Sequence, residues 1–452
     1  MEEGGKPAGV REGSLEAPIR LPLRNRDPSF FDEHALEQEL GRVFDICHGC
    51  RRCFSLCQSF PTLFDAIDAT ADGELHGVDK RVYWQVVDNC YLCDMCSMTK
   101  CPYLPPHPWN VDFPRVMLRA KIIKFRKGET SFRDRMLTST DRVGSLAGIP
   151  VVAQIVNAAN ASRPGRMLLD KALGIHPEAP LPKYHSRSAR RQLRKSLSPS
   201  QPAPQSTPQT SGKVVLFTIC YGNRNEPDLA TDLAAVFAHN GIAVTLAARE
   251  RCCGMPKLEV GDLESVTRLK EENIPELLRL VEQGYDIVAP IPSCVLMFKQ
   301  ELPLIFPDDA AVERVRSRTF DPFQYLMLRH QAGLMRTDFK AQLGKVSYHV
   351  PCHLRVQNIG LKTRDVLRLV PGTTVEVIER CSGHDGSYAV KSEFREASMK
   401  IARPVVQKVA SGNADYYSSD CPMAGHQIQS GLPAGSREPT PPLRLLRIAY
   451  GI

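Results

Sequence analysis

Cys47-His48-Gly49-Cys50-Arg51-Arg52-Cys53-Phe54-Ser55-Leu56-Cys57 and Cys90-Tyr91-Leu92-Cys93-Asp94-Met95-Cys96, with Cys101-Pro102 beyond, place eight cysteines in two groups of four. The first group is a C-x2-C-x2-C-x3-C run. Two-residue spacings let three thiolates reach three corners of one iron-sulfur cubane, while the remote fourth cysteine ligates the other cluster. The pattern predicts one 4Fe-4S cluster on Cys47, Cys50, Cys53 and Cys101, and a second on Cys90, Cys93, Cys96 and Cys57.

Four thiolates in paired C-x2-C spacing also suit a tetrahedral zinc site. A third closely spaced cysteine in each group, and Pro102 after the last, weigh towards iron-sulfur. Two departures from the bacterial ferredoxin run stand out. Gln58 occupies the place of a proline after Cys57, and four residues rather than three precede Cys101. The extra residue is expected to bulge the loop before the distant ligand.

The 452 residues suffice for about three domains. Fifteen cysteines in a short secreted chain would suggest a disulfide framework, but the count is odd and no charged-then-apolar signal segment opens the sequence. Metal-bound thiolates in a reducing compartment fit better, which implies a cytoplasmic protein. The longest uncharged stretch, Gly144 to Ser162, carries Gln154, Asn157 and Asn160 and is too polar for a transmembrane helix. Between Arg163 and Lys213, ten Lys or Arg face only Asp170 and Glu178, a balance of +8 that equals the whole chain's excess. Such a segment suits an acidic partner or an anionic membrane surface. No nucleic-acid-binding signature accompanies it, so nucleic acid is not expected as a partner.

Along the chain, residues 1–28 are short of large apolar residues and read as a disordered tail, and 29–110 as the two-cluster module. Residues 111–175 read as helical, beginning with a basic amphipathic helix at Pro114 to Lys127, framed by Pro114 and Gly128. That helix suits either a membrane surface or packing with solvated cations. Residues 176–212 read as a basic and then Ser/Pro/Gln-rich linker. Beyond it the texture alternates strand and helix. Strands are expected at Val214 to Ile219, Ile242 to Ala247, Asp286 to Pro290, Lys345 to Val350, Thr374 to Ile378 and Asp415 to Ser419. A helix from Asp262 to Glu282 should be interrupted near Pro275. The expected fold class is α+β multidomain: a helical two-cluster module, then two lobes with parallel sheets at 213–305 and 345–430. A helical connection at 306–344 joins them, and 431–452 reads as a tail.

In each lobe the cysteines follow predicted strands. The first gives Cys220, Cys252-Cys253-Gly254 and Cys294; the second gives Cys352, Cys381-Ser382-Gly383 and Cys421. Cys220 to Cys252 spans 32 residues and Cys352 to Cys381 spans 29, so the frame is duplicated. Ligands of open α/β sheets sit beyond the carboxyl ends of the strands, which places all these cysteines as candidate metal ligands. A packed cluster of metal-free cysteines is the plainer alternative, since free cysteine is often buried.

The two-cluster module and the two lobes together resemble iron-sulfur subunits with a duplicated cysteine-rich CCG domain, over about Arg42 to Gln427. That family includes the C subunit of anaerobic glycerol-3-phosphate dehydrogenase, the iron-sulfur subunits of glycolate and lactate oxidation, and the catalytic subunit of heterodisulfide reductase. The resemblance implies an additional, noncubane iron-sulfur cluster in the CCG lobes. It further implies an electron-transfer subunit, fed by a flavin-containing dehydrogenase partner at the inner face of the cell membrane. No G-x-G-x-x-G follows a predicted strand, so neither flavin nor NAD is assigned to this chain. The pattern departs from the family in three places: Met297 and Ala424 stand where a closing C-x-x-C would have its second cysteine, and Ser382 replaces the second cysteine of CCG. His353, His384 and His426 lie in the second lobe's loops as candidates to complete a site. The alternative function is a catalytic reductase of disulfide or thiol substrates.

Overall fold

Four helices with apolar residues at three- and four-residue spacing build the N-terminal part of the chain. Leu36, Leu40, Val43 and Phe44 form one buried stripe on the helix Glu33–Cys50, whose start is capped by Asp32 accepting from the Ala35 amide at 2.7 Å. Phe60, Leu63, Phe64 and Ile67 do the same on Ser59–Asp68, and Tyr83, Val86 and Val87 on Lys80–Asn89. Phe113–Arg126 closes the core with Val116, Met117, Ala120 and Ile123. The Phe60 and Phe113 rings lie 4.7 Å apart, and Phe44 meets Tyr83 edge-on at 4.9 Å.

This computed structural model describes residues 19–99, 101–197, 203–218 and 220–452, and divides into two compact units, Met1–Lys124 and Phe125–Ile452. In the first unit, two sequence expectations need comment. Of the expected tail, 1–18 lie outside the described residues, whereas 19–28 are fastened down. Arg20 is nearly buried between Asp94 at 2.8 Å and Asp112 at 2.7 Å, and the Ile19 amide donates to the Pro105 carbonyl. Composition could not reveal this, because one arginine meeting two distant carboxylates leaves no local pattern. The basic helix turns its apolar face inward, and some of its cations have partners in the unit. Lys124 pairs with Asp88 at 2.6 Å, and Arg119 donates to the carbonyls of Phe30 and Ser29 at 2.7 Å.

The second unit holds two parallel sheets. Strands β1 (Lys213–Leu216), β2 (Ala243–Thr245), β3 (Asp286–Val288) and β4 (Thr319–Phe320) run in the order β2-β1-β3-β4. Strands β5 (Lys345–His349), β6 (Thr374–Ile378) and β7 (Tyr416–Ser419) run β6-β5-β7. In both sheets the first strand lies centrally, between the second and third, as Val214↔Val244 and Val214↔Asp286 match Val346↔Val375 and Val346↔Tyr416. The three-residue β2 and β3 are shorter than expected. The helix Leu263–Glu282 runs through Pro275 without a break. Ile219, the last residue of the first expected strand, lies outside the described residues.

The lobes are not separate beads. One hydrophobic core runs through Val214, Leu216 and Phe237 of the first and Val346, Tyr348 and Val366 of the second. Two segments expected to be loose belong to it. The helix Ala189–Ser196, inside the expected linker, buries Ala189 and Leu193, and Arg190 pairs with Glu250 at 2.7 Å. Of the low-complexity tract, 198–202 lie outside the described residues, while Thr210 is fully buried and the Ser211 amide donates to Asp286. The expected C-terminal tail ends in a helix, Pro442–Tyr450, that buries Leu443, Leu445, Leu446, Ala449 and Tyr450. Its Arg444 and Arg447 straddle the buried Asp232 at 2.6 and 2.8 Å. The i, i+3 spacing of those arginines was visible, but their shared carboxylate lies more than two hundred positions away, with Asp232 to Arg444 a separation of 212.

Four further helices, Phe132–Leu137, Thr140–Ala147, Pro150–Ala161 and Arg163–Leu173, precede the first lobe. Among the described residues no single helix is long and apolar enough to cross a membrane. Thr140–Ala147 and Pro150–Ala161 pass that test only as a pair, bent by 105°.

The packed C-terminal helix yields a first prediction. Leu446→Ala removes a fully buried side chain and should lower the unfolding free energy by about 2–5 kcal/mol. Urea unfolding of the second unit's signal measures it, and a loss below about 0.5 kcal/mol would mean that the site is not in the core.

Candidate metal centres

In the first unit, Cys47 and Cys50 sit on the last turn of Glu33–Cys50. Arg51 ends that helix in the left-handed region at φ 52°, its amide bonded to the Cys47 carbonyl at 2.8 Å. Burial, then Cys101, Cys53 and Cys50, pushes the Cys47 thiol well above its ordinary value. Burial raises Cys101 to about 11, with Cys50 adding to it. Cys90 is pushed up to about 12 by burial and then by Cys57. Cys96 is raised by burial, then by Cys53, Cys90 and Cys57. Cys93 lies between Leu92 and Asp94, whose φ angles of 55° and 60° turn the loop. The Cys101 amide is bonded to the Cys96 carbonyl at 2.8 Å, and Lys100, in the loop expected to bulge, lies outside the described residues. Gln58 starts the next helix directly, its carbonyl accepting from Thr62.

None of the eight thiols is in a disulfide, and burial with neighbouring sulfur raises Cys47, Cys90, Cys96 and Cys101, so their thiolate forms would repel one another without a cation among them. That donor chemistry fits iron-sulfur clusters, whose iron supplies the missing positive charge.

In the first lobe, Cys220 follows β1, the Cys252-Cys253-Gly254 turn follows β2, and Cys294 lies on Pro292–Leu296 after β3. The Cys220 and Cys252 sulfurs are 3.7 Å apart. Cys220 holds its proton through its hydrogen bond to Cys252, while donation from Cys220 and Cys253 holds Cys252 well below its ordinary value. Cys253 bonds to both Cys252 and Cys294, so all four thiols form one chain. Gly254 turns the loop at φ 101°, a conformation L side chains rarely adopt, and a Cβ there would meet the Met297 methyl at 3.3 Å.

Two residues of this site escaped sequence reasoning. Thr140 Oγ1 lies 3.2 Å from Cys220 Sγ and 3.5 Å from Cys252 Sγ, and Asp141 accepts from the Cys252 amide at 2.6 Å. Burial, then Cys252, pushes the Asp141 carboxyl up to about 6. Ser139-Thr140-Asp141 resembles a helix start, but nothing in it points to thiols 80 residues on. Asn273 completes the cradle, accepting from the Arg251 amide and donating to the Cys252 carbonyl at 3.0 Å.

In the second lobe Cys352, Cys381 and Cys421 likewise follow β5, β6 and β7. Cys352 is raised by burial, then by Asp385, Cys381 and Cys421, so the three thiols converge. Ser382 is buried and its hydroxyl accepts from the His384 amide, making it part of the turn. The three histidines part company. His353 stands beside Cys352, and His426 pairs with Glu226 of the first lobe at 2.9 Å. His384 is buried with neither ring nitrogen hydrogen-bonded among the described residues, and burial holds its pKa down at about 4.

Two cysteine-rich CCG domains match the chain, at residues 214–299 and 346–429. The C subunit of anaerobic glycerol-3-phosphate dehydrogenase from Escherichia coli K12 is 30% identical over 324 residues, which is 71% of this chain and 78% of that protein. Lactate utilization protein A from Bacillus cytotoxicus is 28% identical over 220 residues, 46% of this chain and 87% of its own. The B subunit of fumarate reductase (CoM/CoB) from Methanothermobacter marburgensis is 27% identical over 225 residues, 49% of this chain and 42% of its own. The chain belongs to the family of iron-sulfur oxidoreductase subunits built on the duplicated CCG domain.

A prediction follows for the newly found acid. Asp141→Ala leaves the Cys252 amide without its acceptor, and a hydrogen bond to a carboxylate contributes about 1.5–3 kcal/mol. Hydrogen exchange at residues 252–254 should therefore accelerate roughly tenfold or more, with a smaller effect for Asp141→Asn. Unchanged exchange in both variants would show that Asp141 does not hold the turn.

Proposed function

We propose that this protein is the iron-sulfur electron-transfer subunit of a multi-subunit dehydrogenase or reductase, linking a flavin-bearing partner to an onward acceptor. The observation that supports the reading is the crowding of eight thiols in the first unit and of four more in the first lobe. Cys47, Cys50, Cys53 and Cys101 hold one 4Fe-4S cluster and Cys57, Cys90, Cys93 and Cys96 the other. Cys220, Cys252, Cys253 and Cys294 hold an additional cluster. Such clusters supply one-electron transfer when bound. The chain's own residues supply the thiolates, keep water from them by burial, and fix the first lobe's turn through Asp141 and Asn273. Thr140 offers its one hydroxyl proton to the sulfurs of Cys220 and Cys252, nearer to Cys220, and so stabilises negative charge there. No cysteine follows Cys294 or Cys421 at the C-x-x-C position, which removes the extra thiols that a catalytic disulfide reductase would use.

Anaerobically purified protein should contain about eight iron atoms per chain from the first unit and more from the first lobe. Cys93→Ser should remove one cubane signal from the reduced electron paramagnetic resonance spectrum. Cys253→Ser should abolish the additional cluster, while Ser382→Ala leaves iron content unaltered. An unchanged spectrum in Cys93→Ser, or zinc in place of iron, contradicts the assignment.

We further propose peripheral contact with an anionic membrane surface at the inner face of the cell membrane. Support comes from the helices Pro150–Ala161 and Arg163–Leu173, where Val151, Ile155 and Leu168 are 65%, 63% and 67% exposed beside the exposed cations Arg163 and Lys171. The protein should co-sediment with anionic vesicles at low salt and release at high salt, and Val151→Asp with Ile155→Asp should abolish binding. Equal binding to neutral vesicles, or none at low salt, removes this part of the reading.

A further inference from the structure

The second lobe has one thiol too few for the ligand set of the first. Ser382 stands in the place of the fourth cysteine, and its hydroxyl is committed to the turn that carries His384. Other donors are present instead. Cys352 Sγ, a ring nitrogen of His353 and a carboxylate oxygen of Asp385 all lie within 4.8 Å of one another. Ligand atoms around a tetrahedral zinc ion, at about 2.0–2.3 Å from the metal, stand roughly 3.3–3.8 Å apart. Side-chain adjustment of about an ångström would close this set onto one ion.

The chemistry of the donors selects the ion. A thiolate, an imidazole and a carboxylate form a mixed sulfur, nitrogen and oxygen set, which suits zinc and is foreign to an all-thiolate cluster. Charge agrees in direction, since the Cys352 thiolate and the Asp385 carboxylate balance a divalent cation, and a second thiolate at the fourth position leaves only one excess negative charge.

Two independent features mark the site as built to hold something. Ser293 Oγ, next in the chain to Cys294 of the first lobe, lies 2.8 Å from His353 Nδ1 and fixes the ring. Such outer partners orient metal-binding histidines. Directly before Asp385, the buried His384 has no hydrogen-bond partner for either ring nitrogen among the described residues, an uncompensated buried polar group next in the chain to a candidate ligand.

We propose that the second lobe holds a single zinc ion on Cys352, His353 and Asp385, with Cys381 or Cys421 nearest to the fourth position, in place of an iron-sulfur cluster. The two lobes then share an ancestry of loops and differ in metal. Because Ser293 belongs to the first lobe, the ion also ties the lobes together at their cysteine-bearing ends. The proposal is independent of the clusters assigned to the other twelve cysteines and stands or falls separately from them.

The test is elemental analysis of the full-length chain, purified anaerobically, supplied with Zn2+ and dialysed against a weak chelator. The wild type should retain about one zinc per chain beside its iron. Asp385→Asn, which keeps shape and removes charge, and His353→Gln should each lose the zinc and keep the iron. Ser293→Ala should retain the site but weaken Zn2+ binding by about 10- to 100-fold in competition titrations. Two variants guard against loss through misfolding, and unchanged iron content reports an intact chain. Zinc retained in both ligand variants, iron lost with it, or no zinc held by the wild type would each overturn the proposal.

Discussion

Thiolates placed close together and away from water repel one another, and this constraint governs three separate regions of the molecule. Burial and neighbouring charge push most of these thiols towards their protonated forms, as with Cys47, Cys90, Cys352 and, in the first lobe, Cys220 and Cys253, whereas Cys252 is lowered by the hydrogen bonds it accepts. The few cations nearby relieve this only in part: Arg42 eases Cys47 and Lys121 eases Cys90. A bound metal centre converts that repulsion into attraction, so the protein surrounding these cysteines has the character of a holder rather than of a packed apolar core.

What brings the thiols together differs between the units. In the first, helix ends and left-handed turns do it, with Arg51, Leu92 and Asp94 bending the chain within a few residues of each cysteine. In the second, parallel strands do it. Parallel strands end on the same edge of their sheet, and the loops after β1, β2 and β3 and after β5, β6 and β7 carry the cysteines, so each lobe delivers three cysteine positions without any local sequence pattern linking them. The shared core beneath, from Val214 through Tyr348, makes the two lobes one mechanical body.

The sequence made the alternation of strand and helix legible because buried strands such as Val214 to Leu216 are short apolar runs, and helices such as Pro227–His239 open on proline and close near glycine. The duplicated CCG frame was equally plain, since spacing is preserved along a chain. Illegible were the residues whose roles arise from contact alone. Thr140 and Asp141 reach the first lobe from a separate helix, and Asp385 gains meaning only once the loops after β5 and β6 meet. The fastened segments at 19–28 and 203–212 and the final helix were misjudged for a related reason. Their polar or proline-rich composition resembles that of loose chain, while Arg20, Ser211 and Arg444 each find a distant carboxylate that composition does not encode.

The central claim is that the thiols of the first unit and the first lobe are ligands of iron-sulfur centres, and Mössbauer spectroscopy of the full-length chain, grown on enriched iron and kept anaerobic, tests it most directly. The account predicts iron in tetrahedral sulfur coordination, dominated by cubane-type clusters with a smaller component from the first lobe. Spectra showing only adventitious iron bound through oxygen and nitrogen, in protein whose cysteines are metal-free or filled with zinc, would contradict it.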